Sequence, residues 1–273
     1  MINGYIFPSN KAVDRLFPQE VDKYENFSII FVFRKTDDEK RLKNLEACLR
    51  YYRKNYSLAQ IIVAEQFSDI PKINVSQDVE KVSFEDSGLF LKSKLMNLSV
   101  IRCKYNKIFF CDADILVDFH ILNNCLAYLG SYDFSKPYAR KLRDVKINLE
   151  SDDLFSEKRE VTRQRTDSPL GGGAFCFTKE FYLKIGGMDE FFKGYGSEDH
   201  AFGLKVVNLG KACYLDGEAL HLHHDTAVKT LVNYKEIADT NNDYYHKLSN
   251  FDQEGFDNYI RKQRLYFEAN YLI

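Results

Sequence analysis

The first strong pattern along the chain is a continuous apolar run, Phe27 to Phe33 (Phe-Ser-Ile-Ile-Phe-Val-Phe). Its length and β-branched content predict a strand buried on both faces. A polar loop, Arg34 to Asp38, follows it. Leu42, Leu45, Leu49 and Tyr52 then recur at helical spacing, which predicts an amphipathic helix over 38–54. Gln60 to Ala64 reads as the next strand, completing a βαβ unit of the kind that builds doubly wound sheets. The theme repeats. A short strand from Val79 to Phe84 precedes a second helical pattern, with Leu91, Leu95, Leu98 and Tyr105 on or near one face. Lys107 to Phe110 is again strand-like and runs into Cys111-Asp112-Ala113-Asp114, and a helix is expected from about 118. Core packing is the ordinary role of these Leu and Ile positions.

From 131 to 170 the pattern fades. Lys136, Arg140, Lys141, Arg143, Asp144, Lys146, Glu150, Glu160, Arg163, Arg165 and Asp167 crowd a stretch with neither helical nor strand period. Such a stretch is expected to be a solvated loop or a substrate-facing lid. Gly171-Gly172-Gly173 closes it, and Ala174 to Phe177 predicts a strand. Thr178 is placed to cap a helix over 179–185. Gly186 to His200 then packs four glycines, an aromatic and an acidic pair into one segment, as though the backbone turns sharply and approaches something closely. Ser197 is expected to cap the helix carrying Phe202, Val206 and Leu209, and Lys211 to Leu215 reads as a strand. Residues 1–26 read as an arm. The chain is expected to divide into a catalytic domain, 1–225, and a helical, Tyr- and Asn-rich extension, 226–273, packed on it.

Composition narrows the class. The chain has 273 residues, enough for one large α/β domain, and its formal net charge of −2 argues against a nucleic-acid-binding surface. None of the six cysteines forms a CxxC pair, so they read as small buried hydrophobes in a reducing compartment. No apolar run reaches the ~20 residues needed to span a bilayer, and Met1 to Asn10 lacks a signal-peptide pattern. A cytoplasmic protein is expected, with room for peripheral membrane contact.

Three clusters carry chemistry. Asp112-Ala113-Asp114 follows a buried strand, where ligands bind in open α/β sheets, and paired carboxylates suit Mg²⁺ or Mn²⁺ with phosphate oxygens. The plain alternative is a turn capped by Asp side chains. His221-Leu222-His223-His224 groups three of the chain's six histidines, a set suited to metal ligation or simply a surface cluster. In a strand His221 and His223 share a face, whereas in a turn His221 and His224 converge. Glu198-Asp199 opens a helix, where it complements the dipole, and a desolvated carboxylate there can act as a general base. Tyr195 beside it offers a platform for a sugar ring.

At this point the chain resembles the GT-A glycosyltransferases, specifically the group sharing the C-terminal galactosyltransferase domain, which includes β-1,4-galactosyltransferases and bacterial chondroitin-polymerase-like enzymes. Gly172 through Asp199 carries their Gly-Gly, apolar strand and Gly-Gly-x-Asp-Glu-x-Phe-x-Gly-aromatic-Gly-x-Glu-Asp series. Ile30 to Arg34 resembles their first strand and nucleotide-binding arginine. Phe90 to Leu98 resembles the helix before their Asp-x-Asp, and His221 to Asp225 resembles their closing metal segment. The likeness covers about 27–225 in the correct order.

The resemblance implies a Rossmann-like, mostly parallel sheet flanked by helices, with the helical C-terminal extension. It implies an inverting, metal-dependent transfer of a hexose or N-acetylhexosamine from a UDP-sugar to a saccharide or glycolipid acceptor, in surface polysaccharide synthesis. Asp114, His221 and His224 would hold Mn²⁺ (or Mg²⁺). Arg34, Glu65, Lys94, Asp112, Gly172, Gly173 and Tyr195 would line the nucleotide-sugar site. Asp199 would be the base and Glu198 would orient the acceptor. Two departures stand out. Tyr195 replaces the family's usual Trp, and the membrane anchor and disulfides of the animal enzymes are absent. Asp-x-Asp after a strand also opens phosphohydrolases of the haloacid-dehalogenase type, but here it lies mid-chain, with Leu116 where Thr or Val is expected. A non-catalytic sugar-nucleotide-binding protein on the same fold is the third reading, although Asp114 and Asp199 are both retained.

Overall fold

Within the first apolar run, alternate residues face opposite ways, and this alternation sets up the layers of the molecule. Ile29, Phe31 and Phe33 enter one buried cluster, while Ile30 and Val32 enter another on the opposite side. The computed structural model describes residues 13–34, 39–69, 73–139, 141–165, 168, 170–224 and 233–272. The predicted loop at 35–38, residues 1–12 of the N-terminal arm, Arg140, Asp167 and Asp225 lie outside the described residues.

In chain order the elements are β1 (Asp14–Leu16), β2 (Ser28–Arg34), α1 (Glu39–Asn55), β3 (Gln60–Phe67), β4 (Val79–Glu85), α2 (Lys92–Arg102), β5 (Lys107–Asp112), β6 (Ile115–Val117), α3 (Phe119–Tyr128), β7 (Phe134–Lys136), β8 (Leu142–Lys146), β9 (Glu160–Arg165), β10 (Ala174–Thr178), α4 (Lys179–Lys184), α5 (Glu198–Leu209), β11 (Ala212–Leu215), β12 (Ala219–Leu222), α6 (Tyr234–Ser249) and α7 (Gln253–Tyr271). Eight strands form the main sheet in the order β1-β11-β7-β10-β5-β2-β3-β4. It is parallel except where β10 runs against both its neighbours. Leu45, Cys48 and Tyr52 of α1 and Leu122, Cys125 and Leu126 of α3 pack with one face. Leu95, Met96 and Val100 of α2, Phe181 and Tyr182 of α4, Phe202 and Val206 of α5, and Phe267 of α7 pack with the other. The helix predicted over 179–185 has Thr178 as its cap, the hydroxyl accepting from Phe181 N. All six cysteines are free and buried. Among the described residues no helix is long and apolar enough to cross a membrane.

Two expectations change. The N-terminal arm supplies β1, which joins the sheet edge in parallel with β11. The charge-rich stretch is not loop or lid throughout, since it contributes three strands: β7 enters the main sheet, and β8 and β9 help build a second sheet in the order β6-β12-β8-β9. Its period was hidden for two reasons. A register shift between Asp144 and Val145 breaks the alternation in β8, so that the buried residues Leu142 and Val145 stand three apart. β9 is exposed along almost its whole length and is joined to its neighbours by charge instead: Arg165 to Asp144 at 2.7 Å, and Lys146 to Glu160 at 3.4 Å.

The last two helices are anchored on the segment Gly186 to His200. Asp189, almost fully buried, accepts hydrogen bonds from the hydroxyls of Tyr244 (3.1 Å) and Tyr259 (3.0 Å) and from Phe191 N (2.9 Å). Glu190 accepts from Asn97 Nδ2 (2.8 Å), Tyr266 and Tyr271. Asn241 of α6 donates to the carbonyls of Lys193 (3.0 Å) and Tyr195 (2.9 Å). The tyrosines of the C-terminal region thus satisfy an acidic pair of which Asp189 is buried. Tyr259→Phe removes a donor to a buried charge and is expected to lower unfolding free energy by about 1.5–3 kcal/mol in urea denaturation; a loss under about 0.5 kcal/mol would show that the hydroxyl contributes nothing to the anchor.

Candidate active site

The site begins where β5 leaves the sheet. Asp112 ends the strand, and its N–H donates to Gly173 O at 2.7 Å. Asp114 lies in the turn before β6. β6 pairs antiparallel with β12, placing His221 opposite Ile115, and Leu222 N donates to Asp114 O at 2.8 Å. Backbone pairing therefore makes neighbours of residues about a hundred positions apart. β12 stops at Leu222, so the next residues leave the strand and His224 swings back toward Asp114. His224 Nε2 is 3.1 Å from Asp114 Oδ2 and His221 Nε2 is 3.7 Å from Asp114 Oδ1. One ligand atom from each of Asp114, His221 and His224 falls within 4.8 Å of the others. Of the two histidine pairings left open by the sequence, the turn pairing is the one formed. His223 is exposed and lines a groove with Lys40, Lys43 and Lys146. Asn44, buried in α1, donates to the carbonyls of Leu222 (3.1 Å) and His223 (3.3 Å) and fixes where the strand ends. Burial pushes the Asp114 carboxyl up, but His221, His224 and Arg41 outweigh it and hold it well below the usual carboxylate range.

Beside this trio stands a second cluster. Lys92, at the start of α2, is 9% exposed. Its ammonium lies 3.3 Å from Asp112 Oδ1, 3.4 Å from Glu198 Oε1 and 3.0 Å from Asp199 Oδ2, and it also faces the Phe110 ring. Burial alone would lower the Lys92 pKa, but Asp112, Asp199 and Glu198 raise it well above its ordinary value. Burial pushes Glu198 up to about 7, with the Asp199 charge adding and Lys92 opposing. Asp112 rises to about 6 by burial, with Lys92 opposing and Asp199 and Asp114 adding.

The glycines around the cluster have steric reasons. A Cβ on Gly172 would occupy the space filled by the Asp199 carboxylate, and Gly173, at φ +92°, leaves room for the Tyr138 hydroxyl. Lys136, fully buried, donates to the carbonyls of Ser168 (2.9 Å), Gly171 (2.8 Å) and Gly172 (3.0 Å) and holds this loop against Asp199. Ser197 stands at the cap position of α5 but does not cap it. It adopts φ +66° and makes no side-chain cap bond, unlike the extended geometry of a capping serine. That left-handed residue sits directly before Glu198 and Asp199, a place where backbone strain is commonly held in functional sites.

The remaining sequence candidates fall elsewhere. Tyr195 is half-exposed, its ring 5.2 Å from that of Tyr234. Arg34, at the end of β2, donates to Ser87 O at 3.3 Å. The Glu65 carboxylate, fully buried, binds Lys81 (2.9 Å) and Ile73 N (3.1 Å). Lys94 lies 4.0 Å over the Phe84 ring, outside the carboxylate cluster. Lys92 was the residue missed, and its signal was available. It lies three and four positions before Leu95 and Met96, on the buried stripe of α2, where a lysine needs carboxylate partners.

Residues 154–224 match the family described as the N-terminal domain of galactosyltransferase. Among solved structures, GalNAc-T7 with UDP, GalNAc and Mn²⁺ is 15% identical, with a TM-score of 0.52 over 90% of this chain and 56% of that one. A Drosophila β-1,4-galactosyltransferase 7 mutant complexed with manganese, UDP-Gal and xylobiose is 17% identical, with a TM-score of 0.48 over 78% of this chain and 79% of that one. The chain has the GT-A fold. The segment matched by the family model spans Gly172, Gly173, Tyr195, the acidic pair and both histidines of the trio, while Asp112, Asp114 and Lys92 come from the chain before it.

Lys92→Met leaves three carboxylates facing one another and is expected to destabilise the protein by about 3–5 kcal/mol in urea denaturation. Lys94→Met, which removes one cation–π contact, is expected to lose only about 0.5–1 kcal/mol. Equal losses would mean that Lys92 is not the residue holding the cluster together.

Proposed function

We propose that the protein is a metal-dependent, inverting glycosyltransferase that moves a hexose or N-acetylhexosamine from a UDP-sugar to a hydroxyl of a saccharide acceptor. The observation that carries this reading is the adjacency of two clusters: a histidine–carboxylate trio of metal-ligand geometry, and the acidic pair Glu198-Asp199 joined to Asp112 through one lysine. The UDP, GalNAc and Mn²⁺ held by GalNAc-T7, which has the same fold, support it.

Two imidazoles and one carboxylate fit the proposed ion and favour Mn²⁺ over Mg²⁺, which prefers an all-oxygen shell. Asp114, His221 and His224 would hold it, and it would neutralise charge on the departing diphosphate. Asp199 takes the proton from the acceptor hydroxyl. The hydroxyl oxygen bonds to the anomeric carbon as the bond to the diphosphate breaks, and attack from the face opposite the leaving group inverts that carbon. Glu198, whose carboxyl is pushed up by burial and by the Asp199 charge, hydrogen-bonds the acceptor. Lys92 holds Asp199 in place, and Gly172 leaves that carboxylate its space. Tyr195, with Tyr234 beside it, offers an exposed aromatic surface for the sugar.

Isothermal calorimetry with Mn²⁺ and UDP is expected to show binding that Asp114→Ala abolishes. Asp199→Asn is expected to keep UDP binding and to lose transfer by roughly 10²–10⁴-fold, the usual contribution of a general base. Transfer at the original rate by the Asn variant would remove Asp199 from that role. A panel of UDP-sugars, scored by donor hydrolysis with Mn²⁺, identifies the donor.

A further inference from the structure

We propose that Asp144 and Arg165, from the charge-rich stretch of the second sheet, are positioning residues for the metal ligand His221 and set the affinity of the site for its cation. The inference rests on the metal-dependent reading above and assigns a task to a part of the chain that contributes no ligand.

The imidazole of His221 has two nitrogens, and carboxylates stand at both. Nε2 faces Asp114 Oδ1 at 3.7 Å, while Nδ1 faces Asp144 Oδ1 at 3.2 Å. The arrangement is built into the sheet. β8 runs parallel to β12 with Asp144 in register with His221, so the two side chains share a face. Arg165 of β9 then reaches across, with Nη2 2.7 Å from the same Asp144 oxygen. The register shift follows directly after Asp144, where a bulge can re-aim a side chain that would otherwise only alternate.

A neutral histidine binds a cation through one nitrogen only if its proton sits on the other. A carboxylate facing Nδ1 selects that tautomer, fixes the ring plane and strengthens the ligand nitrogen. Arg165 fixes the carboxylate in turn, since a guanidinium pinned by a strand restricts its rotamer. The groups run in line from Arg165 through Asp144 and His221 to Asp114, from the outer strand of the second sheet to the metal position. A cross-strand ion pair with no further task would not require Asp144 to stand opposite the histidine.

The test measures Mn²⁺ binding to the full chain without nucleotide, by the electron paramagnetic resonance signal of the free ion. Asp144→Ala is expected to weaken Mn²⁺ binding by about 10–100-fold, the range for loss of a ligand's outer partner. Asp144→Asn, which preserves shape, and Arg165→Met are expected to weaken it less, with thermal melts reporting that each variant is folded. In a His221→Ala background, Asp144→Ala is expected to cause no further loss, because its effect acts through that ring. Wild-type affinity in both Asp144 variants, or an equal loss with and without His221, overturns the inference. If Asp114→Ala abolishes binding while the Asp144 variants bind normally, only the support role falls. If the wild-type chain binds no Mn²⁺, the metal reading falls and this inference with it.

Discussion

Three carboxylates brought together where water is partly excluded repel one another. Asp112, Glu198 and Asp199 come from the end of β5 and the first turn of α5, and all three are partly buried. The ammonium of Lys92, carried by a third element, α2, makes that arrangement tenable. It contributes charge where the sheet opens and ties two helices to a strand at a single point. The rest of the site is arranged around this contact: the Gly172 backbone clears space for Asp199, and Lys136 holds that backbone in place.

The same economy governs the segment Gly186 to His200. Its glycines make the bends, with positive φ at Gly186, Gly187, Gly194 and Gly196. Its acids serve two separate purposes. Asp189 and Glu190 receive tyrosines of α6 and α7, whereas Glu198 and Asp199 face Lys92 and the candidate site. The C-terminal helices therefore bear on the candidate site through the loop they brace, although none of the candidate catalytic residues lies on them.

Much of this was legible along the chain. Apolar runs and helical periods mark β2, α1, β3, α2 and β5 closely, because each buries a face whose spacing follows from local geometry. The Asp-x-Asp, the acidic pair and the histidine cluster stand out because their residue types are unusual in those places. β8 and β9 were not legible. One carries a bulge and the other is exposed, so neither shows the alternation by which a strand is recognised.

What the sequence by itself determined is the list of elements and the chemistry available at their ends. It also contained Lys92 on an apolar stripe, a buried charge in search of a partner. Only the tertiary structure decided the pairings: Lys92 with an aspartate 107 positions later, Asp114 with histidines on another strand, Asp144 behind one of them. The physical reason is register. Side chains alternate along a strand, so a shift of one residue between β12 and its neighbours would turn His221 away from both aspartates. That register is fixed by burial and hydrogen bonding summed over the whole sheet, which no local stretch of sequence carries.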